Sequence, residues 1–387
     1  VSKKLIEKGE ITMKIINYGD EFRIFPDDLK TYDLFPAGTY KVDFSPMSGF
    51  SLIKINDFEA MEEKTYGNHP ERIEKILKAY GHFERSLGVI FSGDKGMGKS
   101  LSVQLLAKAA VEMGLPVIMV PKAYKGVADF LETIQQEVLV VFDEFEKVFP
   151  LRRNGNPTYG GGQQQVNDNL ENQDELLGLF DGTSQRKRMY VITVNHLSQV
   201  SEFMVSRTGR FHYHIRFDYP TADEIEIYLR DKIEEQYYGE IKHVVAFSTR
   251  VKLNYDSLRA IAFELNMGYT FNSAISDLNI LSTDKQKYNV KILFSDGKTT
   301  TVKGQNMDLF SDAIRLDGYY NTNYFSLTFD GVNIQTNGID MAVDGSHVQA
   351  RISDEEGDPT DELQIASITI SQHYDTGVNY KMGSLLA

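Results

Sequence analysis

Eight residues constrain the fold more than any others: Gly93-Asp94-Lys95-Gly96-Met97-Gly98-Lys99-Ser100, a G-x-x-x-x-G-K-[ST] run. It stands between a short apolar run at 87–92, which reads as a buried strand, and a run at 100–113, which reads as a helix. That order suits a loop whose backbone N–H groups curl around phosphate oxygens at a helix N-terminus. Gly93, Gly96 and Gly98 permit the curl, with Asp94, Lys95, Met97 and Leu101 completing the binding stretch. Lys99 is placed to reach the β- and γ-phosphates and Ser100 to ligate magnesium. A second apolar run, 138–142, ends in Asp143-Glu144. At the C-terminal end of a strand, Asp143 suits a magnesium ligand and Glu144 a residue that polarises an attacking water.

The rest of the middle region repeats the theme. Runs at 116–120 and 189–194 read as further strands with few polar interruptions, and 127–136 reads as a helix. Short apolar strands alternating with helices imply an α/β core with a parallel sheet covered on both faces. Four segments are expected. Residues 1–58 form a small β-containing N-terminal domain, 59–220 the α/β subdomain, 221–283 a helical lid, and 284–387 an all-β C-terminal domain. The last rests on short strands broken by Gly, Asn and Asp turns.

Composition narrows the functional classes. The chain of 387 residues has no cysteine, which excludes disulfide frameworks, thiolate nucleophiles, zinc ribbons and iron–sulfur clusters. Its net charge of −14 argues against coating nucleic acid over the whole surface. Half of that charge, 8 basic against 15 acidic residues, falls in 284–387, so the total says little about the α/β region. No stretch approaches 18 consecutive apolar residues, and the first residues lack a signal-peptide pattern. The expectation is a soluble, cytoplasmic protein with no membrane partner.

Residues from about 60 to 283 resemble the AAA family of ATPases, in the broader AAA+ class. The resemblance implies ATP and Mg2+ as cofactors. It makes Asn195, at the end of the 189–194 strand, the polar sensor that positions the lytic water. Ser206-Arg207-Thr208-Gly209-Arg210-Phe211 is similar to the family's R-P-G-R-x-D stretch, with Thr208 for Pro and His212 for Asp. By that likeness Arg207 and Arg210 reach the nucleotide of a neighbouring subunit, which implies a ring, most often a hexamer. The stretch 268–274 resembles the lid motif and places Ala274 beside the nucleotide, while Tyr66-Gly67 stands where the family wraps its linker around adenine.

Between the strand at 116–120 and the next helix, Tyr124-Lys125-Gly126 resembles the aromatic–hydrophobic–glycine pore loop of AAA unfoldases, with Lys125 where an aliphatic residue is usual. The Gly-, Asn- and Gln-rich stretch 152–165, with Arg152 and Arg153, falls where related rings carry a second pore loop. These features favour a chaperone-like machine that remodels, threads or assembles a protein partner. The alternatives are a nucleic-acid-linked AAA+ loader or helicase, and a structural assembly protein that uses ATP to fix its oligomer. The acidic run 354–362 reads as a solvated loop, and His212 and His214 as structural residues.

Overall fold

A computed structural model describes residues 13–18, 20–26, 30–58, 66–67, 69–149, 151, 170–181, 186–205, 209–280, 286–321, 323–337, 340–353 and 364–373. The chain divides into two units. One comprises residues 1–61, 71–92 and 100–215, and the other 62–70, 93–99 and 216–387.

The first unit opens with β1 (Met13–Tyr18) and β2 (Glu21–Pro26), an antiparallel pair that forms its own two-stranded sheet. Next come β3 (Thr39–Ser45), β4 (Gly49–Ile55), α1 (His69–His82), β5 (Leu87–Ser92), α2 (Lys99–Glu112), β6 (Val117–Met119) and α3 (Val127–Glu132). After them follow β7 (Leu139–Phe142), α4 (Phe145–Val148), α5 (Leu177–Phe180), β8 (Met189–Val194), α6 (Glu202–Val205) and β9 (Tyr213–Arg216). Seven of these strands form one sheet in the order β4-β3-β6-β7-β8-β5-β9. Strands β3, β6, β7, β8 and β5 run parallel to their neighbours in that order. Every residue of β5, β7 and β8 is buried, as a central strand covered on both faces requires.

The N-terminal boundary differs from the expectation. Instead of a separate sheet, β3 pairs in parallel with β6, Thr39 against Val117 and Lys41 against Met119, and β4 closes that edge. Alternation along 40–44 marks one buried face, with Tyr40 and Val42 inward, but does not say which strand lies alongside. Phe142, Phe145, Phe149 and Phe180 pack edge-on and stacked within the core of this unit. The buried Arg188 closes the end of α3, donating to the carbonyls of Leu131 (3.2 Å) and Ile134 (2.9 Å) and pairing with Glu132 (3.2 Å).

In the second unit, α7 (Ala222–Lys232) starts on a capping box between Thr221 and Glu224. It packs with α8 (Ile241–Ser248), α9 (Tyr255–Asn266) and α10 (Phe271–Asp277) around Tyr228, Val244, Leu258, Ile261 and Leu265. Among the described residues, eight strands follow: β10 (Gln286–Phe294), β11 (Thr299–Met307), β12 (Ile314–Tyr320), β13 (Asn323–Phe329), β14 (Gln335–Asn337), β15 (Asp340–Asp344), β16 (Gln349–Ser353) and β17 (Ile365–Gln372). They make a five-stranded sheet, β11-β10-β17-β15-β14, and a three-stranded one, β12-β13-β16, whose alternate residues share one core. This β region meets the end of α8 through polar contacts. Gln372 donates to the carbonyls of Ser248 (3.0 Å) and Thr249 (3.1 Å), and Arg250 donates to the carbonyl of Ile334 (2.8 Å). Among the described residues, no helix is long and apolar enough to cross a membrane.

Candidate active site

The glycine loop joins β5 to α2. Gly96 has φ +74°, and a Cβ there would lie 2.6 Å from Asn254 Nδ2 and 2.7 Å from Asp256 Oδ2, so backbone conformation and close approach both demand glycine. A Cβ on Gly93 would meet the Phe217 carbonyl oxygen at 2.3 Å. The N-terminus of α9 braces the loop: Asn254 Nδ2 donates to the Lys95 carbonyl (3.2 Å), and the Tyr255 N–H donates to that of Gly96 (3.2 Å). Burial, then Glu224 and Tyr228, push the Tyr255 hydroxyl up to about 12, so it stays neutral at physiological pH. Met97 is buried beneath the loop, while Asp94, Gly98 and Leu101 are half-buried and Lys95 and Ser100 exposed. Lys99 is only 8% exposed, and its Nζ donates to the carbonyls of Gly93 (2.6 Å) and Asp94 (2.8 Å). No acidic side chain occupies the first turn of α2, which leaves the partial positive charge of its N-terminus uncompensated.

Parallel pairing aligns the C-terminal ends of β5, β8 and β7 at one sheet edge, Ser92 opposite Val194 and Phe142 opposite Ile192. The chain leaves β5 for the glycine loop at this edge, and Asp143 and Asn195 follow β7 and β8 there. The Thr193 hydroxyl donates to Asp143 Oδ1 (2.6 Å) and accepts the Glu144 N–H (2.8 Å). Glu144 is one of two non-glycine residues at positive φ among those described, with φ 49° and ψ 46°. Its carboxylate is half exposed and pairs with Lys147. Asn195 donates from both its backbone N–H and its Nδ2 to Glu146 Oε1, each at 2.9 Å. Thr193 and Glu146 were not among the expected site residues. Their signals are present but quiet: one threonine within the otherwise apolar and aromatic β8, and a third acid two residues past the pair.

Other expected residues are placed differently. Arg210, expected as a finger reaching a neighbouring subunit, is a clamp inside its own chain. It is 7% exposed, donates from Nη2 to Asp181 Oδ2 (2.7 Å) and from Nη1 to the Phe203 carbonyl, and Asp181 holds its pKa above the ordinary value. Replacing Arg210 by Ala strands a partly buried carboxylate, so we expect a loss of about 2–3 kcal/mol in unfolding free energy. Denaturant unfolding of the variant checks this. Arg207, like the stretch 152–165 and the acidic run 354–362, lies outside the described residues.

Tyr66 was expected to contact adenine. Its ring is instead buried between Tyr228 (4.7 Å between centroids) and Tyr255 (6.4 Å), with its hydroxyl on Asp231. Gly67, at φ +76°, keeps its backbone beside His69, and Ala274 is buried in α10. Tyr124, expected to project as a pore residue, is half-buried against Phe44 (5.7 Å) and Phe50 (6.2 Å). The exposed side chains of its loop are Lys122 and Lys125, and the Gly126 N–H donates to Glu171 Oε2 (2.7 Å). His214 Nε2 lies 2.7 Å from the hydroxyl of Ser92, and the His212 ring stands edge-on to Phe83.

The family model for the ATPase family associated with various cellular activities (AAA) matches residues 89–219, a span that begins in β5 and runs past β9. No curated protein matches the chain. The glycine loop, the acidic pair, β7 and β8 lie within the matched span, and β5 overlaps its start. Residues 89–219 form a domain of the AAA ATPase family, in the AAA+ superfamily, which indicates ATPase activity.

Proposed function

We propose that the chain hydrolyses Mg-ATP as a ring oligomer, most simply a hexamer, and couples hydrolysis to remodelling or threading a protein partner. The loop backbone from Gly93 to Gly98 and the Lys99 ammonium hold the phosphates. Tyr66 tethers the linker through its ring, leaving the Gly67 backbone to face adenine, and Ala274 provides a small surface at the helical lid. The donor set fits magnesium: the Asp143 carboxylate and the Ser100 hydroxyl are hard oxygen ligands, and this ion is usually held by one or two carboxylates plus phosphate oxygens. An Mg2+ held by those two residues would supply positive charge that offsets the charge of the phosphates. Glu144 accepts a proton from the attacking water, Asn195 orients that water, and Arg207 is the finger toward a neighbouring subunit.

One observation carries the coupling to a protein. The loop at 122–126, after β6, is built into the chain that emerges from the Gly/Gln-rich stretch. The Glu171 N–H donates to the Ala123 carbonyl (2.9 Å), Lys125 pairs with Glu175 (2.5 Å), and Tyr124 forms a β-bridge with Leu170. Since β6 lies beside β7 in the sheet, a shift at Asp143-Glu144 has a short, hydrogen-bonded route to the loop at 122–126. The test is ATP turnover in the presence of an unfolded polypeptide or of single-stranded DNA. Stimulation by the polypeptide, nearly constant with salt, is expected. Stimulation by DNA alone, fading steeply with salt, would replace this reading with the nucleic-acid machine.

A further inference from the structure

We propose that Thr193 is a positioning residue for ATP hydrolysis, its single hydroxyl fixing both members of the acidic pair at once. The proposal rests on the reading of Asp143 as metal ligand and Glu144 as the base.

The argument begins with the strand. Thr193 is 1% exposed in β8, a strand otherwise made of Met, Tyr, Val and Ile. Its backbone is paired with Phe91 of β5, and the residue before it, Ile192, is paired with Phe142 of β7. The ladder on both sides therefore sets where the hydroxyl stands, one step beyond the last paired residue of β7. A hydroxyl offers one donor and two acceptor sites. Here the donor goes to Asp143 Oδ1 at 2.6 Å, a length typical of a bond to a charged carboxylate, and an acceptor site takes the Glu144 N–H at 2.8 Å.

These bonds explain a backbone that propensity alone disfavours. A left-handed conformation crowds the Cβ of an L-residue and persists in a non-glycine residue only when its surroundings over-determine it. Glu144 adopts it directly after Asp143, and the Thr193 oxygen is the acceptor that secures its N–H there. The turn sets the direction in which the Glu144 carboxylate leaves the strand end. The bond to Oδ1 sets the plane of the Asp143 carboxylate. One oxygen thus couples the orientation of the metal ligand to that of the base. Valine has the shape of threonine without its hydroxyl, and serine keeps the hydroxyl without the methyl group, so the two substitutions separate positioning from packing.

The experiment uses the full chain and the variants Thr193→Val, Thr193→Ser and Glu144→Gln. It reads kcat, KM and, independently of turnover, the binding of a fluorescent ATP analogue as magnesium is varied. Thr193→Val should lower kcat about 10²-fold, the scale of a small misplacement of a reacting group, while KM stays within about threefold. The magnesium concentration for half-maximal analogue binding should rise. Thr193→Ser should keep kcat within about threefold of the parent and leave the magnesium midpoint in place. The proposal is overturned if Thr193→Val retains the parent kcat and magnesium midpoint, or if Thr193→Ser falls as far as Thr193→Val, which would make the methyl packing decisive. If Thr193→Val loses its cooperative melt, Thr193→Ala replaces it with the same expected and overturning results. Glu144→Gln separates the two levels. Full turnover in that variant rejects the role of Glu144 itself, whereas lost turnover there with full turnover in Thr193→Val rejects the role of Thr193 alone.

Discussion

Glu144→Gln should leave a protein that binds ATP and scarcely turns it over. The amide keeps the size of the carboxylate but cannot accept a proton from water at neutral pH. A correctly placed general base is worth about 10²–10⁴ in rate, and kcat should fall by about 10³-fold. Little else should change. The backbone N–H that Thr193 accepts belongs to residue 144 whatever its side chain, so the turn is retained. The ion pair with Lys147 is lost, but both partners are well exposed and such a pair contributes only about 0–1 kcal/mol. Single-turnover phosphate release beside analogue binding makes the measurement. Unchanged affinity with lost release supports the base, and retained release would remove Glu144 from the chemistry.

The candidate site was legible as residue types at fixed spacing. Glycines at 93, 96 and 98, a lysine at 99 and paired acids after an apolar strand can be read without knowing any contact. What sequence leaves open is which distant residues pack on a given side chain. Tyr124 and Tyr66 each stand where a motif places a functional group. Their rings are claimed by partners far along the chain, Phe44 and Phe50 for the first, Tyr228 and Tyr255 for the second. Arg210 illustrates the same limit, since Asp181, which holds it, is 29 positions away. The β3–β4 hairpin was legible as strands but not as the edge of the ATPase sheet, because alternation identifies an inward face and not a neighbour. Thr193 escaped for a related reason: one hydroxyl in a buried strand is usually a satisfied core residue, and only the register opposite β7 makes it more.

Lys99→Ala should separate binding from chemistry in the opposite sense to Glu144→Gln. On the proposed reading the ammonium supplies charge to the phosphates, and charge-assisted hydrogen bonds contribute about 1.5–3 kcal/mol each. Two such contacts correspond to a loss of at least about 10²-fold in ATP affinity. Lys99 also cross-links its own loop through the carbonyls of Gly93 and Asp94, so the alanine variant presents a less organised cradle as well as a less positive one. The consequence is visible without measuring turnover. At ATP a hundredfold above its dissociation constant, the parent gains about 2.7 kcal/mol of stability from the ligand. At the same concentration a variant weakened about 10²-fold gains only about 0.4 kcal/mol, and its thermal midpoint should scarcely respond to ATP. Glu144→Gln, by contrast, should show the full ligand-induced shift. If Lys99→Ala also kept that shift, the ammonium would be bracing the loop rather than holding phosphate, and the binding role would pass to the backbone N–H groups of the loop.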